Sequence, residues 1–166
     1  ENIVSIDEAA FYKEMSSSRG WVKKGKTLKT IKTRMRFIKH SLIMAITSNS
    51  VIAFSIKEGN ITKKDFCEFL SGIFRKMKDK RYLLMDNLNM HKSTEVLDLL
   101  KEQNITPMYT VPYTPDLNPI ENVFSVVKHY VRKKHPPDVR SLKIEMNKSI
   151  KKIKPTSLNN MYKRSF

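Results

Sequence analysis

Between an apolar run at 51–56 and another at 82–85 lies a segment in which Phe66, Phe69, Leu70, Ile73, Phe74 and Met77 recur three and four residues apart. That spacing places them on one face of a helix, whereas the flanking runs, short and apolar, suit strands. A helix inserted between two strands carries the chain back across a sheet, so these two strands are predicted to lie parallel. Residues 41–47 and 51–56, separated by Ser48-Asn49-Ser50, read instead as a hairpin. One chain holding both arrangements requires a sheet of mixed pairing.

The remaining elements follow from the same signals. Residues 3–7 form a β-rich run that the acidic pair Asp7-Glu8 is expected to end, and Thr62-Lys63-Lys64-Asp65 has capping-box spacing ahead of the first helix. A second helix is expected over about 93–103, a fifth strand over 106–111 and a proline-rich loop over 112–119. Ile120, Val123, Phe124, Val127 and Val131 then mark a helix to about Lys134, ended by Pro136-Pro137. Leu142, Met146, Ile150 and Ile153 suggest a last amphipathic helix. The basic segment 19–39, with Gly20, Trp21 and Gly25, reads as an exposed hairpin or flap. Three hairpin-connected strands, then helix, strand, helix, strand and two helices, make an α/β protein. This is the order of the ribonuclease H-like fold, a mixed five-stranded sheet flanked by helices, with strand one central and strand four parallel beside it. One domain over 1–154 is expected, with 155–166 as a basic, poorly patterned tail.

Charge narrows the partners. Thirty-two Lys and Arg against sixteen Asp and Glu leave a net charge of +16, a field that attracts polyanions and points first to nucleic acid. Cys67 is the only cysteine, which excludes an internal disulfide or a cysteine-based zinc site, and its apolar helical context predicts a buried thiol. No apolar run reaches the roughly 18 residues of a membrane span. The opening Glu1-Asn2 has no basic leader region, so an intracellular, DNA-associated location is expected. A chain that opens without Met is also expected to be a piece of a longer one.

Asp7 and Asp86 each end an apolar run, where a carboxylate is costly unless it is paired or binds metal. Either one alone is explained equally well as the cap of a turn. Together they suit hard divalent cations, which prefer oxygen ligands; two ions about 3.5 to 4 Å apart can grip the attacking and leaving oxygens of phosphoryl transfer. Glu121 read alone is a helix cap, with Asn118 at N-cap, Pro119 at N1 and Glu121 at N3.

Ile6-Asp7-Glu8, then Met85-Asp86-Asn87 with His91-Lys92, then Pro115-Asp116-Leu117-Asn118-Pro119-Ile120-Glu121-Asn122 resemble the three blocks of mariner-type DDE transposases and their bacterial insertion-sequence relatives. The 34 residues between Asp86 and Glu121 match the spacing of members whose third acid is Glu. The resemblance spans about 3–134. It implies a ribonuclease H-like catalytic domain in which Asp7, Asp86 and Glu121 are both the catalytic and the metal-binding residues. It further implies two Mg2+ or Mn2+ ions, strand cleavage and then strand transfer at transposon ends, transposon-end and target DNA as partners, and a homodimer in the DNA complex. Ala9-Ala10 after the first acid and Phe124 after the third depart from the commoner residues of relatives without touching the chemistry. The helix-turn-helix region that precedes the catalytic domain in this family is not in the sequence, so DNA binding with little sequence preference is expected.

Candidate DNA contacts are Asn87, His91 and Lys92 beside the second acid, Lys23, Lys24 and Lys26 in the basic segment, and Lys128 and Arg132. The last two share a face with Glu121 and Ser125 by helical spacing, although the same residues also fit an ordinary solvated face. The rival functions are a structure-selective ribonuclease H-like nuclease, which cuts without joining, and a domesticated transposase remnant kept for DNA binding.

Overall fold

A computed structural model of the chain describes residues 2–12, 23–25, 38–77, 79, 81–111 and 114–166. The elements are β1 (Ile3–Tyr12), β2 (Lys39–Ile46), β3 (Val51–Glu58), α1 (Lys63–Met77), β4 (Tyr82–Met85), α2 (Thr94–Glu102), β5 (Thr106–Tyr109), α3 (Pro119–Lys134), α4 (Val139–Lys151) and α5 (Pro155–Ser165). Single 3-10 turns at Asn89–Lys92 and Pro115–Leu117 precede α2 and α3. The five strands form one sheet in the order β3-β2-β1-β4-β5, antiparallel across β3, β2 and β1 and parallel across β1, β4 and β5. This is the mixed sheet expected, with β1 at its centre.

Alternation along the strands divides the core between two faces. Val4 and Ile6 of β1 and Ile43 and Ala45 of β2 pack under α1 and α2, while Ala9, Phe11, Leu42 and Met44 pack under α3, α4 and α5. The capping box of α1 forms as its spacing predicts: the Asp65 carboxylate accepts the Thr62 N–H at 2.7 Å, and the Thr62 hydroxyl accepts the Asp65 N–H at 3.3 Å. Between β3 and α1, Gly59 adopts a φ of +81° and donates its N–H to the Lys39 carbonyl at 2.8 Å, a turn that favours glycine.

Three expectations require correction. β1 does not end at Asp7-Glu8 but continues to Tyr12, because the two acids project to opposite faces and each meets a buried polar partner. Residues 155–166 are no unpatterned tail. α5 starts at Pro155 and buries Leu158 and Tyr162 in the core beside α3 and α4. Cys67 is half-buried rather than enclosed. Trp21, Lys26 and most of the basic segment lie outside the described residues.

Tyr162 shows how firmly α5 is held. Its hydroxyl accepts the Ser5 N–H at 3.2 Å and donates to the Ile46 carbonyl at 2.9 Å, and burial pushes its pKa up. Tyr162→Phe strands both backbone groups in a buried place, so we expect it to lower unfolding stability by about 1 to 3 kcal/mol. An unchanged urea midpoint would show that other groups satisfy them.

Candidate active site

The parallel ladder between β1 and β4 ends at Ser5 opposite Leu84, so Asp7 and Asp86, two residues further along each strand, stand side by side where β4 stops. Ends of parallel strands are where α/β sheets carry their sites. Glu121 arrives from a different direction, in the first turn of α3, and is exposed. The three carboxylates open on one cleft of about 540 Å3, whose rim also includes Glu8, Lys39 and Asn60.

Each strand acid is fixed by named donors. Asp7 is 5% exposed; its Oδ1 accepts the Glu8 N–H at 2.7 Å and its Oδ2 accepts the Asn118 side-chain amide at 3.1 Å. Burial first, and then the charge of Asp86 with smaller contributions from Glu8 and Glu121, pushes its pKa up to about 8. Asp86 is only partly covered. Its Oδ1 lies 2.7 Å from Nδ1 of His91 and accepts the Leu88 N–H at 3.2 Å. Burial opposes its charge, but the hydrogen bond and charge of His91 prevail and hold Asp86 below the usual carboxylate range.

His91 is expected from sequence at a DNA phosphate and is found elsewhere. Its side chain is fully buried, with the Phe66 ring 4.6 Å away, Asp86 at Nδ1 and Glu8 at Nε2, 3.4 Å distant. Burial works against its protonation, yet the two carboxylates outweigh it and push His91 up to about 10. A doubly protonated ring donates from both nitrogens, so it links Glu8 to Asp86 instead of meeting solvent. Glu8 and Asn118 are thus the residues that local sequence reasoning missed. Asn118 stood out only as an N-cap, and Glu8 only as a neighbour of Asp7.

The other candidate contacts lie variously around the cleft. Asn87 is half-buried, and its Oδ1 has no hydrogen-bond partner. Lys92 is exposed with its ammonium 5.1 Å from the Tyr109 ring centroid. Lys128 lies 5.9 Å from the Phe11 ring centroid, and Arg132 is exposed one turn further along α3. Lys23 and Lys24 are exposed, and Lys26 lies outside the described residues.

Among the described residues no three metal-ligating side chains already converge as a closed cage. The donor set nevertheless fits hard divalent cations: all oxygen, on three elements of one cleft, with a buried Asp7 whose ionisation its acidic neighbours oppose. A cation placed there offsets that repulsion.

A family profile described as DDE superfamily endonuclease matches residues 2–143. Among solved structures, the chain superposes on the Mos1 transposase paired-end complex with left transposon end with a TM-score of 0.83 at 17% identity, covering 99% of this chain and 52% of that one. For a pre-cleavage Mos1 transpososome the values are 0.84 and 19%, covering 99% and 52%. For the catalytic domain of Mos1 mariner transposase they are 0.74 and 18%, covering 99% and 76%. Likeness at these identities shows the ribonuclease H-like fold, and the chain spans about half the length of the first two structures. No curated protein matches the sequence.

Proposed function

The chain belongs to the DDE superfamily of endonucleases, and on that premise we propose that it is a transposase catalytic domain that cuts DNA strands and joins them to a target. The observation that carries this reading is the meeting of Asp7 from β1, Asp86 from the end of β4 and Glu121 from the start of α3 on one cleft. Two Mg2+ or Mn2+ ions held by these carboxylates would activate the attacking oxygen and stabilise the leaving oxygen of an in-line displacement at phosphorus. The chain's own groups supply the alignment. The Glu8 N–H and Asn118 hold Asp7, and His91 holds Asp86, so two ligands are oriented before substrate arrives. Lys128 and Arg132 lie along α3 from Glu121, and Lys92 lies beyond Asp86; these cations are placed to neutralise phosphates of a bound strand. Lys23, Lys24 and Lys26 extend the basic surface, and two copies would present two DNA ends to one target.

The test uses the full chain, a duplex with a recessed 3′-hydroxyl and a supercoiled plasmid, with Mg2+ or Mn2+ added. The expected products are nicked plasmid and plasmid covalently joined to the duplex. Nicking without joining makes the chain a nuclease of this fold. DNA binding with neither product, at any metal concentration, removes the enzymatic reading.

A further inference from the structure

Asn118 occupies the N-cap of α3, a position from which Asn ordinarily turns its side chain onto the first backbone N–H groups of the helix. Here it makes no such bond. Its Oδ1 accepts the Ser5 hydroxyl at 2.5 Å, and its Nδ2 donates to Asp7 Oδ2 at 3.1 Å. As a metal ligand Asp7 is ionised, and an ionised carboxylate only accepts, so the amide turns its Nδ2 to Asp7 Oδ2 and the Ser5 hydroxyl is left to donate to its Oδ1. The Ser5 N–H in turn donates to Tyr162, which donates to Ile46. Asn118 is 2% exposed and Ser5 fully buried, so water competes for none of these groups.

We propose that Asn118 is the positioning residue for Asp7, with Ser5 setting the amide and Tyr162 of α5 anchoring Ser5. Rotation of the Asp7 carboxyl is opposed by one donor on each oxygen, Asn118 on Oδ2 and the Glu8 N–H on Oδ1. The outward lone pairs are thereby aimed into the cleft that Asp86 and Glu121 share. A helix cap needs none of this. The inference rests on the reading of Asp7 as a metal ligand, and the two can fail separately.

Asn118→Ser separates positioning from capping, because serine caps a helix about as well as asparagine while its hydroxyl is too short to reach Asp7. Mn2+ binding to the full chain is followed by calorimetry, alongside the Mn2+ dependence of cleavage. Loss of a partner that orients a metal ligand typically weakens metal affinity or activity roughly 10- to 100-fold. We expect Asn118→Ser to weaken Mn2+ binding by that factor and to raise the half-saturating Mn2+ concentration for cleavage in step. High Mn2+ should recover part of the rate, with DNA affinity as in the parent and a melting temperature lowered somewhat because the buried Ser5 hydroxyl loses its acceptor. Ser5→Ala, which leaves α3 untouched, should act in the same direction more weakly, and it serves as the test if Asn118→Ser melts early. Parent-like Mn2+ binding in both variants, with binding weakened by Asp86→Asn, overturns the positioning role and leaves the site standing. Absence of Mn2+ binding in the parent overturns both.

Discussion

Asp86→Asn is expected to lower DNA strand cleavage by on the order of a thousandfold while leaving the chain folded and able to bind DNA. The substitution preserves shape and removes the ligand charge on which metal-assisted displacement depends, a contribution of several kcal/mol. At about 1.4 kcal/mol per tenfold change in rate, that loss leaves almost no product in an ordinary assay. Asp86 is only partly covered, and His91 can keep a hydrogen bond to an amide oxygen, so little stability should be lost. Cleavage by the variant within about tenfold of the parent, with equal DNA affinity, would remove Asp86 from the chemistry.

The second large effect concerns stability rather than rate. Asp7 has its folded pKa pushed up to about 8 from an ordinary 3.8, chiefly by burial and then by the Asp86 charge. The folded chain therefore keeps a proton that the unfolded chain releases. The stability this contributes is fully present below about pH 4, declines as pH rises above it and is gone once pH passes about 8. At about 1.4 kcal/mol per pH unit, the loss between pH 5 and pH 8 reaches at most about 4 kcal/mol. Asp7→Asn cannot ionise, so its stability should change far less over the same interval, and groups away from Asp7 contribute almost equally to both proteins. Urea midpoints of the two chains at pH 5 and pH 8, without metal, measure the difference. Mg2+ added at pH 8 should restore the parent and leave the variant nearly unmoved. Parallel pH profiles would show that Asp7 ionises freely in the folded chain.

Much of this site is visible in the residues themselves. The apolar runs before Asp7 and Asp86, the helical stripe between them and the Asn118-Pro119-Ile120-Glu121 start of α3 are local patterns, and each forms where it is expected. What local patterns cannot show is pairing at a distance. Asp7-Glu8 reads as the end of a strand because two adjacent charges are costly in a sheet core. Both are accommodated because Asn118 lies 111 positions away from Asp7 and His91 lies 83 positions away from Glu8, one on each side of the sheet. His91 reads as a phosphate contact for the same reason, since nothing near it in sequence announces the Phe66 ring or the Glu8 carboxylate that enclose it. α5 escapes notice because its buried face rests on little more than Leu158 and Tyr162 among basic and polar neighbours.

The bond from Tyr162 to Ser5 closes a loop of 157 positions. Ribosomes add about 5 to 20 residues per second, so Ser5 is made roughly 8 to 30 seconds before the tyrosine that anchors it. Within that interval β1 can pair with β2 and β4 as soon as each is made, but until α5 follows Ser5 lacks its partner there, and the amide that aims Asp7 lacks a fixed base. On the proposed line of contacts from Tyr162 through Ser5 and Asn118 to Asp7, the first acid is fully anchored only after synthesis has passed residue 162 and α5 has docked, so nascent chains and truncated products carry the three carboxylates with Asp7 less firmly held.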